Sequence, residues 1–167
     1  MQTFFRYNWK VRAEWYQWCE DVQEAELLRV RTGGAGSILY TLYHIIDVEC
    51  SWIRLLQGKP DIQDDFDQYR SLEQIRMLDA KYRLEVEEFV AAWDDSMENR
   101  PFYDPREGGS IATDAWGEVI RHVIAHQIHH FGQLSIWARE LGKKPVSANV
   151  IGKQLILPRT EEQESNE

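Results

Sequence analysis

Apolar residues recur every three or four positions through four long stretches of this 167-residue chain, with no alternating pattern of a half-buried strand between them. A stripe of that period belongs to a helix, and helices striped on one face must pack against one another. Phe4, Tyr7, Val11, Trp15, Trp18, Val22, Ala25 and Leu28 predict one long helix over Thr3 to Val30. Gly33, Gly34 and Gly36 break it, and Ser37 stands where an N-cap is wanted, ahead of Ile38, Leu42, Ile45, Ile53 and Leu56. That helix stops at Gly58 and Pro60. Ser71 with Gln74 spells a capping box before Ile75, Leu78, Tyr82, Val86, Phe89 and Trp93, and predicts a third helix to about Glu98. Two prolines and two adjacent glycines make Asn99 to Ala112 a loop with room for a short hairpin. Thr113 then caps a fourth helix reaching Leu141, closed by Gly142 and Pro145.

The expected fold class is therefore all-α, a four-helix bundle with a C-terminal extension. The second and third connections, about 13 and 15 residues, could at roughly 3.3 Å per residue each run the length of a helix, so loop length leaves the helix order open. One domain is expected over residues 1–158, followed by an acidic tail over 159–167 that holds no apolar residue and should be disordered. With 43% hydrophobic residues the chain can bury a core without staples, and Cys19 and Cys50 have no metal-ligand spacing. A net charge of -9, with acidic runs between Asp61 and Asp67 and after Thr160, leaves no basic patch, so no nucleic-acid partner is expected. No uncharged stretch, Thr32 to Ile46 among them, reaches the roughly 20 residues of a membrane span, and nothing at the N-terminus resembles a signal segment. No membrane association is expected, and a cytoplasmic location is.

Four of the five histidines, His122, His126, His129 and His130, fall within nine residues of the fourth helix. At 100° per residue, with His126 at zero, His130 lies at about +40°, His122 at about -40° and His129 at about -60°, on the arc that also carries Val119 and Trp137. Burying several imidazoles is costly unless each is bonded, and the i,i+4 pair His126 and His130 can turn two ring nitrogens toward one divalent ion. A third donor must come from elsewhere, and His44, on the shoulder of the second helix's core face, is the remaining histidine. These residues leave two readings open: a three-histidine metal site, or histidines that are simply packed into a core. The run from His126 to His130 outlines HExxH but carries Gln127 where a metalloprotease needs its glutamate base, which argues against that chemistry. No glutamate stands three residues before a histidine, which argues against a carboxylate-bridged di-iron site. Glu49 falls in the middle of an apolar stripe and needs a partner, for which a tryptophan or tyrosine is the first expectation and support of a histidine the second.

The run His122-Val123-Ile124-Ala125-His126-Gln127-Ile128-His129-His130-Phe131-Gly132-Gln133, with His44-Ile45-Ile46-Asp47-Val48-Glu49 upstream, resembles the DinB family, and the likeness extends from Tyr7-Asn8-Trp9 to Pro145-Val146-Ser147-Ala148-Asn149. The resemblance implies a DinB/YfiT-like bundle of up-down-down-up order, usually a homodimer, in which His44, His126 and His130 bind one divalent metal ion per chain, zinc or nickel. It departs from the family pattern at Gln127 and Phe131, where glutamate and arginine are frequent. The implied activity is metal-dependent: activation of a low-molecular-weight thiol, such as bacillithiol, for S-transfer to an electrophile. The alternatives are a non-catalytic metal or small-molecule binding protein of the stress or DNA-damage response, and a structural dimer. Whether the protein is an enzyme stays open at this point.

Overall fold

The computed structural model describes residues 1–104 and 114–156. The chain is mostly helical: α1 (Gln2–Glu20), α2 (Glu24–Leu28), α3 (Ile38–Leu56), α4 (Leu72–Ala91) and α5 (Trp116–Glu140). Strands β1 (Pro101–Phe102) and β2 (Asp114–Ala115) pair antiparallel, Pro101 opposite Ala115; β1 falls within the loop expected over Asn99 to Ala112, and β2 just past it. The acidic tail and Leu157 lie outside the described residues. No helix among the described residues is long and apolar enough to cross a membrane.

Two of the expected caps are present. Ser37 accepts the Tyr40 N–H, and Ser71 and Gln74 form the reciprocal box, so α3 and α4 start where their local side chains satisfy the first free backbone donors. Three expected boundaries differ. The single helix over Thr3 to Val30 is two, because the chain turns at Asp21 and restarts at Glu24. The break turns Leu27 inward against α3, where it is buried, whereas a continued stripe would have carried Leu28. The third helix ends at Ala91 rather than near Glu98. Asp94 accepts the Ser96 N–H at 2.7 Å and draws residues 95–97 into a 3₁₀ turn, a local bond that competes with helix propagation. The fourth long helix begins at Trp116, its entry held by Glu118 accepting the Ala115 N–H at 2.8 Å; Thr113 lies outside the described residues.

Helix α3 packs against α4 and α5, and so does α1. For α1 with α4 and for α3 with α4, named contacts give the relative direction. Gln2, at the start of α1, donates to the Val90 carbonyl near the end of α4, while Tyr16 donates to Asp79 nearer its start. Arg54 of α3 pairs with Glu85 of α4, and Tyr43 stacks near Tyr69 just before α4 begins. Residues 143–156 return along α1: Trp18 donates to the Lys144 carbonyl, Tyr7 to that of Ala148 and Arg6 to that of Leu155.

The interior has two apolar clusters with a polar layer between them. In α3, Glu49 lies between Ile46 of one cluster and Ile53 of the other; in α5, Gln127 lies between Phe131 and Val123; in α4, Asp79 lies between Leu78 and Val86. Arg12 from α1, fully buried, completes the layer, with Nη2 at 2.7 Å from Glu49 and 3.2 Å from Asp79. Burial alone would lower its guanidinium, but Asp79 and Glu49 outweigh that and raise it above its ordinary value. Asp79, which burial alone would raise, is held below the usual carboxylate range by Arg12 and Arg83.

Candidate metal centre

The three histidines singled out in the sequence converge. His44 from α3 and His126 and His130 from α5 bring ring nitrogens to within 4.8 Å of one another, although 82 residues separate His44 from His126. Nε2 of His126 lies 3.1 Å from Nε2 of His44 and 3.0 Å from Nε2 of His130. The i,i+4 spacing sets the second distance and the packing of α3 on α5 sets the first. His44 is further oriented by Tyr40, one turn earlier, whose ring is stacked at 6.2 Å with an interplanar angle of 7°.

The electrostatics suit neutral donors. Desolvation lowers the affinity of all three rings for protons: His44 with help from His130, His130 with help from His129 and against the Gln133 bond, and His126 down to about 3 because His130, His44, His122 and His129 add to its burial. At neutral pH the cluster therefore presents lone pairs rather than charges. A neutral imidazole carries one N–H, so three facing nitrogens cannot all be satisfied by one another. Nitrogens each about 2.0–2.1 Å from a common ion stand roughly 2.9 to 3.4 Å apart, so the two closest separations fit a shared divalent cation. Nδ1 of His126 is buried without a hydrogen-bond partner among the described residues, while its Nε2 meets both of the other rings. The donor set thus fits a metal ion in its chemistry, and in its spacing for the two pairs that include His126.

The other histidines stand outside this triangle. His122 is exposed, one turn before His126, its ring 5.9 Å from that of His126 and 5.7 Å from Trp52. His129 is also exposed and meets the Gln133 amide. Glu49 takes its first expected partner, Trp9, whose Nε1 donates at 3.1 Å, along with Arg12 and Gln127, the latter at 2.6 Å. The sequence carried no pointer to Arg12, because its partners come from other helices. Gln127 faces away from solvent into the polar layer, so it is a core residue here, and Phe131 likewise packs in the core. Gln133 was not singled out either, although its distances of three and four residues from His130 and His129 were a visible sign that it shares their face.

Two comparisons bear on descent. The chain is 46% identical over 155 residues, 93% of its length and 96% of the relative's, to the uncharacterized protein YizA of Bacillus subtilis (strain 168). A profile of the DinB family matches residues 1–162, covering every helix above and all three converging histidines, and the chain belongs to the DinB family.

Proposed function

We propose that this protein holds one divalent ion, zinc or nickel, per chain on His44, His126 and His130, and uses it to activate a low-molecular-weight thiol, such as bacillithiol, for S-transfer to an electrophile. The observation that carries the reading is the convergence of three imidazoles, half-buried or buried, whose affinity for protons is lowered by that burial. Neutral donors would leave a bound ion its full charge, and such an ion lowers the pKa of a thiol toward neutrality. The chain's own contribution is to hold the three donors on two rigid helices, with Tyr40 orienting His44 and the polar layer anchoring α5 beside His126 through Gln127.

The reading includes an up-down-down-up bundle, supported by the start-to-end contacts of α1 with α4 and the parallel contacts of α3 with α4. It also includes a homodimer. Metal content of protein purified without a histidine tag is the first test, with about one ion per chain expected and its absence refuting the site. Consumption of a thiol with a reactive electrophile, dependent on that ion, is the second. Bound metal without any thiol turnover would favour a non-catalytic binding protein instead.

A further inference from the structure

Gln133 touches two histidines at once. Its Oε1 lies 2.7 Å from Nδ1 of His130, and its Nε2 lies 2.7 Å from Nε2 of His129. An amide oxygen only accepts, so the first contact requires the His130 proton on Nδ1; an amide nitrogen only donates, so the second requires a bare Nε2 on His129. Exchanging the amide's oxygen and nitrogen would reverse both choices. His130 would then carry its proton on Nε2, the nitrogen 3.0 Å from Nε2 of His126, and a protonated nitrogen has no lone pair for an ion.

The amide oxygen is also partly covered. The loop before α3 passes over it, with Gly34 at φ +60°, close enough that a Cβ there would come within 2.8 Å of Gln133 Oε1 and of the Trp137 ring. Trp137 in turn donates to the Thr32 carbonyl at 3.2 Å, which ties the same loop to α5. The glycine's left-handed backbone permits that approach.

We propose that Gln133 is a positioning residue for the metal centre: it holds His130 in the Nδ1–H tautomer, so that Nε2 faces the other two donors, and His129 acts through it rather than as a ligand. The effect on metal affinity rests on the reading of His44, His126 and His130 as ligands, whereas the tautomer of the metal-free protein does not.

Two measurements test this. Long-range proton–nitrogen correlation spectra of the metal-free protein should show His130 as Nδ1–H in the wild type and in Gln133→Glu, which keeps the acceptor, and should lose that tautomer in Gln133→Leu. Zinc titration against a competing chelator should show Gln133→Leu weakened on the order of 10- to 100-fold, Gln133→Glu within about threefold of wild type, and His129→Ala weakened less than Gln133→Leu. An Nε2–H tautomer in the metal-free wild type would overturn the proposal, as would Gln133→Leu binding zinc like wild type with an unchanged tautomer. If the wild type takes up no zinc, the ligand reading fails and the spectra still decide the role of Gln133. Should Gln133→Leu not fold, the wild-type and Gln133→Glu spectra suffice.

Discussion

Glu49→Ala removes a carboxylate that accepts three hydrogen bonds in the polar layer, from Trp9 Nε1 at 3.1 Å, Arg12 Nη2 at 2.7 Å and Gln127 Nε2 at 2.6 Å. Arg12 has no exposure, and its other two nitrogens, Nε and Nη1, have no hydrogen-bond partner among the described residues, so it cannot turn to water. Breaking a buried ion pair from one side costs about 3–5 kcal/mol. Stranding the buried Gln127 amide adds about 1–3 kcal/mol. Asp79 still faces the guanidinium at 3.2 Å and members of one network do not add, so the lower part of the sum, about 4–5 kcal/mol, is expected. Against a total of about 5–15 kcal/mol for a domain, that is most of a modest stability. At about 2–4 °C per kcal/mol the midpoint should fall by roughly 10–20 °C. Urea unfolding of the metal-free protein, followed by helical circular dichroism, measures it directly. The paired change Arg12→Met with Glu49→Leu should recover the part of the loss that comes from the unpaired Arg12 charge, while Gln127 and Trp9 remain without Glu49 as acceptor. A Glu49→Ala protein within about 1 kcal/mol of wild type, or a double variant as unstable as the single one, would refute this account of the layer.

His44→Ala, His126→Ala and His130→Ala should each lose zinc while keeping helical circular dichroism, and His122→Ala should change affinity by at most about tenfold. Zinc retained by His44→Ala but abolished in His122→Ala would mean a cluster confined to α5. All three donor rings are shifted downward, so below about pH 6.5 the unfolded chain binds more protons than the folded one; stability of the metal-free protein should be fully present above that pH and fall as pH drops toward 3, where His126 finally charges. A thermal midpoint that rises on acidification from pH 6.5 to 5 would contradict these directions. Zinc affinity should be level from pH 8 to about 6.5 and weaken only at lower pH, as the downshifted donors begin to take protons, because each must be neutral. No salt-sensitive shift of duplex DNA is expected at micromolar protein, given a net charge of -9.

What could be read from the chain alone was whatever is decided within one or two turns. Ser37, and Ser71 with Gln74, cap helices by bonding backbone donors three residues away, and the histidines of α5 share a face because 3.6 residues make a turn. The periodicity of the apolar residues likewise determined that the chain would be all-α. Its breaks were another matter: the helix expected to reach Val30 stops at Glu20 because docking of Leu27 on α3 outweighs a continued stripe, a preference no local term records. The pairing of Arg12 with Glu49 and Asp79 was hidden because each residue sits on a different helix, and an arginine beside an apolar stripe reads as a solvated flank until its partners are brought to it. For the metal centre, spacing placed His126 and His130 together and left His44 on a shoulder of its helix. Only the packing of α3 against α5 brought His44 Nε2 to 3.1 Å from His126, because a distance across 82 residues depends on how whole faces pack together.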